Sequence, residues 1–239
     1  MMRADADLPV LSQQLLLSVA EELKLPLLQI ARQVEQGRLD GQTDLLAVQA
    51  TADTALRLLD NYLLGVRLAL EPQHFDIEPV SVSSVLYDTG QQLDAFAKTY
   101  GVSLELHVAG RYGTVMAHRQ GLQAALTSLG AALIEALPAL GAAPRQLTLQ
   151  LATHRSRYGI VAGLYTETAQ VTNEALRRGR LLQGRGRQPL LNLTHTSGAG
   201  IFVADAILQA MSLRLRASRH HGLYGLGAVL PSNNQLRLV

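Results

Sequence analysis

The chain has 239 residues, 48% of them apolar, 17% charged and 4% aromatic, with no cysteine. Such a chain is long enough to bury one large core or two small ones, and too apolar to remain disordered. A disulfide framework and a cysteine-ligated zinc are excluded. The overall charge of +2 hides a split, since residues 1–110 hold 7 basic and 15 acidic side chains (−8) and residues 111–239 hold 14 and 4 (+10). Two oppositely charged halves either attract each other or mark an anion-binding C-terminal part.

Met1 to Asp7 has one arginine, two aspartates and no apolar run behind a basic cluster, so it does not resemble a signal peptide and the expected location is the cytoplasm. Two helices open the chain. In the first, Leu11, Leu15, Val19, Leu23, Leu27, Ile30 and Val34 recur every three or four residues, and in the second Leu45, Val48, Ala52, Ala55, Leu59, Leu63, Val66 and Leu70 do the same. Gly37, Asp40 and Gly41 supply the turn of an antiparallel hairpin. Two helices enclose no core alone, and Leu16, Leu56 and Leu58 widen the stripes. Pairing with a second copy into a four-helix bundle is therefore expected. The interface would hold Leu15, Val19, Leu23, Leu27, Leu56, Leu59 and Leu63. Pro26 should kink the first helix, because it removes a backbone donor and crowds the preceding turn.

After Pro72 the pattern becomes α+β. Strands are predicted at Phe75–Val80, Ser103–Val108, Thr114–Ala117, Gln146–Thr153, Tyr158–Tyr165, Leu213–Ala217 and Leu223–Leu230. Helices are predicted over Ser81–Tyr100, with Val82, Val85, Leu86, Leu93 and Phe96 inward, over Arg119–Leu137, and from Gly198-Ala199-Gly200 to Met211. The most apolar stretch, Gly121–Ala143, approaches the length of a membrane span, but Glu135 and Pro138 within it favour a buried helix, so no span is expected. Thr166–Thr196 lacks periodicity and carries Arg177, Arg178, Arg180, Arg185 and Arg187 among glycines, as a basic loop would.

Three stretches, in this order, resemble the transmitter core of bacterial sensor histidine kinases over nearly the whole chain. Ser18-Val19-Ala20-Glu21-Glu22-Leu23-Lys24-Leu25-Pro26-Leu27 is similar to the phosphoacceptor motif, with Glu22, Leu23, Lys24, Pro26 and Leu27 matching. Glu21 stands where the family has its histidine and Leu25 where it has Thr or Asn. Leu122 to Leu133 resembles the helix that supplies a magnesium-holding Asn, and Ala132 occupies that position. Thr196-Ser197-Gly198-Ala199-Gly200-Ile201 resembles the glycine motif that closes on the triphosphate. The Asp and glycines that read adenine are missing, since Tyr165 is followed by Thr166-Glu167-Thr168-Ala169-Gln170. The resemblance implies a dimerisation hairpin over residues 1–71 and a histidine-kinase-type ATPase sandwich over 72–239.

Autophosphorylation needs a nitrogen nucleophile, a metal across the phosphates and a nucleotide held in line. Neither hairpin helix contains a histidine; the seven lie at 74, 107, 118, 154, 195, 220 and 221. No catalytic residue, metal ligand or cofactor is therefore expected. Residual phosphate binding would rest on Ser197, Gly198 and Gly200 at a helix N-terminus. Adjacent His220 and His221 suit a surface turn better than a shared metal. The expected function is a dimeric signalling adaptor or regulator. It would dock a receiver domain or a partner kinase at Glu21, Glu22 and Lys24 around Pro26. An ATP-binding enzyme with a rewired site and a basic nucleic-acid-binding protein are the alternatives. Scarce aromatic residues speak against single-strand stacking.

Overall fold

The structure is a computed structural model and describes residues 7–70, 75–108, 112–139, 147–167, 176 and 199–232. Its helices are α1 (Asp7–Asp40), α2 (Leu45–Leu70), α3 (Val82–Thr99), α4 (Arg119–Ala139) and α5 (Ala199–Ala210). Its strands are β1 (Glu78–Val80), β2 (Val102–Val108), β3 (Val115–Ala117), β4 (Leu147–Ser156), β5 (Gly159–Thr166), β6 (Leu215–His220) and β7 (Leu223–Leu230).

Local chemistry explains where several helices start. Asp44 Oδ1 accepts from the Ala47 N–H at 3.1 Å ahead of α2, and Ser81 Oγ accepts from the Ser84 N–H at 3.4 Å ahead of α3. His118 Nδ1 accepts from the Gly121 N–H at 3.0 Å in the first turn of α4, and its ring stacks on Phe75 with centroids 4.6 Å apart. α1 remains one helix through Pro26. The α1–α2 turn is tight enough that a Cβ on Gly37 would collide with Thr43.

Five strands form a mixed sheet in the order β2-β4-β5-β7-β6, with β2 and β4 parallel and every other neighbouring pair antiparallel. β1 and β3 pair separately as a two-stranded antiparallel ribbon. Alternation along the strands sends Leu149, Leu151, Ile160, Ala162, Leu164, Leu226, Ala228 and Leu230 toward the helices, where they join the core with Leu86, Leu93, Phe96, Leu129, Leu133, Phe202 and Ile207. Among the described residues, no helix covers the opposite face of the sheet.

α4 is long and apolar enough to cross a membrane by length and composition, yet 72% of its apolar window is buried inside the protein. It is the central core helix, packed against α3, α5 and the sheet. α5 is buried from Ala199 to Leu208. Asp205, buried on α5, accepts from the Gln209 side chain at 3.0 Å and from the Leu215 N–H at 3.4 Å, tying the helix to the start of β6.

The hairpin is joined to this sandwich through a shared core. Leu58, Tyr62 and Leu68 of α2 belong to the same cluster as the residues of α3, α4 and α5. Gly65 lets α2 approach α5 closely, because a Cβ there would stand 2.9 Å from Val203 Cγ2 and 3.1 Å from its Cα. Asn61 Nδ2 donates to the Ala124 carbonyl at 3.4 Å, and Gln29 Nε2 of α1 donates to the Thr99 carbonyl at 2.9 Å.

Within the chain, α2 buries the stripe of Thr51, Ala55, Leu58, Tyr62, Gly65 and Leu68 against the sandwich and leaves the neighbouring stripe through Leu59 and Leu63 exposed. β6 differs from the expected strand, running from Leu215 to His220 rather than from Leu213 to Ala217, while β1 begins at Glu78 rather than Phe75.

Candidate functional site

The residues singled out in the sequence fall in two regions: the outer surface of the hairpin, and the junction of α4 with the N-terminus of α5. On the hairpin, Lys24 is exposed and Pro26 is buried. Val19 and Leu23 are half-buried against the chain's own core, so they are already partly covered without a second copy. By contrast Leu27 (60%), Leu56 (61%), Leu63 (51%) and Leu59 (36%) are exposed, as are Leu28 and Val34. They lie on the two paired helices of the hairpin. The side chains of Leu15, Glu21 and Glu22 lie outside the described residues.

On α4, Ala132, the residue at the expected magnesium-ligand position, is buried and presents only a methyl group. Thr127 Oγ1 donates to Gln92 Oε1 at 3.2 Å, linking α4 to α3. Gly130 lets α4 pack closely, since a Cβ there would collide with Leu93 and crowd Leu164. Gly200 is buried within the first turn of α5. Ser197, Gly198 and the Arg177–Arg187 segment lie outside the described residues. Glu167, following β5, is exposed. Among the described residues, no group of three or more His, Asp or Glu stands close enough together to hold a metal ion.

No family model matches the sequence, and no curated protein matches it. Solved structures do. The chain is similar to the histidine kinase AdeS of Acinetobacter baumannii with a TM-score of 0.52 at 14% identity, over 89% of this chain and 98% of that one. The chain has the fold of a histidine kinase transmitter core. It is also similar to full-length ShkA in complex with AMPPNP, with a TM-score of 0.52 at 15% identity, over 93% of this chain and 46% of that longer one. The expected combination of a helical hairpin with an α+β sandwich is thus the observed one.

The transmitter fold carries one cluster that sequence reasoning missed. On the face of the sheet opposite the described helices, the His154 and His220 rings stack with centroids 5.1 Å apart, Tyr165 lies 5.9 Å from the first and 5.4 Å from the second, and His221 meets His220 edge-on at 4.2 Å. The Tyr165 hydroxyl is 3.4 Å from His154 Nδ1 and donates to Ser218 Oγ at 3.4 Å. Burial pushes the Tyr165 hydroxyl up to about 12, with Ser218 acting in the opposite sense. Burial lowers His154 below its ordinary 6.5, assisted by His221, and lowers His220 likewise, assisted by His221, His154 and His107.

His220 is thereby a correction: it is buried at the end of β6, and only His221 sits in the turn, with φ of 47°. The available signal was cross-strand parity. Tyr165 faces Gly225, which faces Ser218, so side chains from three strands share one face. That register is invisible until the strands are paired.

Proposed function

We propose that this chain is a catalytically degenerate transmitter: a cytoplasmic, dimeric signalling adaptor that binds a receiver domain or a partner kinase without transferring phosphate. Its dimerisation hairpin is assigned to residues 1–71 and its ATPase-like sandwich to 72–239. The observation that carries this reading is the occupation of the phosphoacceptor position by Glu21 in a hairpin with no histidine, together with Ala132 at the metal-ligand position. A carboxylate at 21 has no nitrogen lone pair to attack a γ-phosphate, and Glu22 beside it adds like charge.

The exposed Leu27, Leu56, Leu59 and Leu63 support a homodimer through the hairpin, forming a four-helix bundle. The docking face is assigned to Glu21, Glu22 and Lys24, with buried Pro26 shaping the helix beneath them. Glu21 places a permanent negative charge near where a phosphoryl group would sit, which suits holding a receiver in one docked state.

The test is incubation of the purified protein with labelled ATP and magnesium, followed by capture of a receiver domain from the native cell. No acid-labile phosphate should form on the chain, and Glu21→Lys should weaken the captured receiver by more than the roughly 0.5 kcal/mol scatter of surface substitutions. Label that is lost on Glu21→Gln would overturn the non-catalytic reading. Receiver binding indifferent to both Glu21→Ala and Glu21→Lys would move the docking face to the basic C-terminal half.

A further inference from the structure

At one corner of the sheet face opposite the described helices, where the α5–β6 turn meets the β4–β5 turn, lies a cavity of about 460 Å³ lined by Tyr158, Ser212, Leu213, Arg214, Arg216 and Val229. Its volume falls in the range of small-molecule sites, about 300 to 1,000 Å³. Arg214 and Arg216 are two residues apart leading into and along β6, so their side chains project to the same face of the sheet, beside Val229 of the neighbouring strand. Among the described residues, no carboxylate pairs with either arginine; the ion pairs there are Lys98–Asp94, His107–Glu105 and Arg119–Asp88. Two uncompensated guanidiniums side by side offer the planar, forked donors that suit a phosphate or carboxylate.

The rest of the lining is suited to something larger than an inorganic ion. Leu213 and Val229 contribute apolar wall, and Tyr158 presents an aromatic ring at the rim with the Arg157 guanidinium 4.4 Å from its centroid. A ligand with an anionic group on a flat apolar body would satisfy both parts at once. The strands separate this corner from the α4–α5 junction, because the cavity opens on the face of the sheet that, among the described residues, no helix covers.

We propose that the cavity framed by Tyr158, Arg214 and Arg216 binds a small organic anion, a phosphate or carboxylate ester or acid carried on an aromatic ring. The site would be independent of any nucleotide bound between α4 and α5, and it supplies a reason for the basic balance of the C-terminal half: the arginines are kept free for a ligand rather than paired across the surface.

Calorimetry on the full chain with phenyl phosphate, benzoate, inorganic phosphate and benzyl alcohol tests this. Phenyl phosphate or benzoate should bind with a Kd of about 1 mM or tighter, and at least about tenfold more tightly than inorganic phosphate and benzyl alcohol. The exposed pair Arg214→Gln and Arg216→Gln together should weaken binding by at least about tenfold while circular dichroism is unchanged, and Tyr158→Ala should reduce the preference for the aromatic anion over inorganic phosphate. No binding by either aromatic anion at about 5 mM, or binding unaffected by the double arginine variant, overturns the proposal. So does a mixed-sequence oligonucleotide that binds more tightly than phenyl phosphate with an affinity falling steeply in salt, which would assign the arginines to a polynucleotide instead.

Discussion

Replacing Gly65 by valine tests whether the hairpin and the sandwich share one core. A Cβ at position 65 would lie 2.9 Å from Val203 Cγ2 and 3.1 Å from Val203 Cα, so valine adds three carbons where not even one fits without movement. Overpacking of this kind costs about 1 to 3 kcal/mol. The higher helix propensity of valine over glycine returns only about 0.3 to 0.5 kcal/mol, leaving a net loss of about 0.5 to 2.7 kcal/mol. Val203 is fully buried, so Val203→Ala alone should cost about 1 to 2.5 kcal/mol through the space it leaves.

In the double variant the two changes meet, since the valine at 65 occupies the volume vacated at 203. Its loss should be no larger than that of either single variant, giving a coupling at least as large as the bigger single loss, about 1 to 2.7 kcal/mol, where distant sites add within about 0.3 to 0.5. The assay is urea unfolding of the four proteins at one common concentration, because dimerisation would otherwise enter the midpoints. Losses that simply add, or a neutral Gly65→Val, would refute the docking of α2 on α5.

Other expectations can be checked as directly. Leu59→Asp with Leu63→Asp should convert a dimer into a folded monomer, since both side chains are exposed and neither belongs to the core; a monodisperse wild-type monomer by light scattering at micromolar concentration would contradict the four-helix bundle. Calorimetry with ATP or ADP and magnesium should show nothing tighter than about 0.1 mM, or about −5.5 kcal/mol, because Ala132 offers no metal ligand; micromolar binding abolished by Gly198→Val would argue for a rewired ATP site. Stability should also fall as pH drops. His154 and His220 have folded values below the 6.5 of the unfolded chain, so their contribution is present above about pH 6.5 and is lost as pH falls through the folded values. Glu105 and His107 on β2, Tyr165 on β5 and His221 in the turn share that face, so the urea midpoint should be followed from about pH 7.5 to about pH 5.5 with His154→Gln and His220→Gln alongside. An unchanged slope in those variants would show that the lost stability comes from other groups.

What the sequence by itself determined is the part governed by short-range spacing. Apolar residues every three or four positions mark α1, α2 and α3, alternation marks β2, and Gly37 with Gly41 places the turn between the first two helices. These patterns depend on a few neighbouring residues, and the histidine that the hairpin lacks is equally plain from the chain alone. The tertiary structure decided what depends on partners distant along the chain. On α2, the stripes through Leu59 and Leu63 and through Leu58, Tyr62 and Leu68 lie side by side on one helix, and only the close approach of Val203 to Gly65 selects the second for the core. His220 and His221 are adjacent in sequence, but β6 extends to His220 and pairs it with Leu223 of β7, so its ring joins His154 and Tyr165, while His221 in the left-handed turn meets the His220 ring edge-on. Arg214 and Arg216 meet Tyr158 only because β6 and the β4–β5 turn come to the same corner of the sheet. Each is a long-range pairing of elements whose local patterns are compatible with more than one neighbour, so the choice is made by packing and strand register rather than by any residue's own preference.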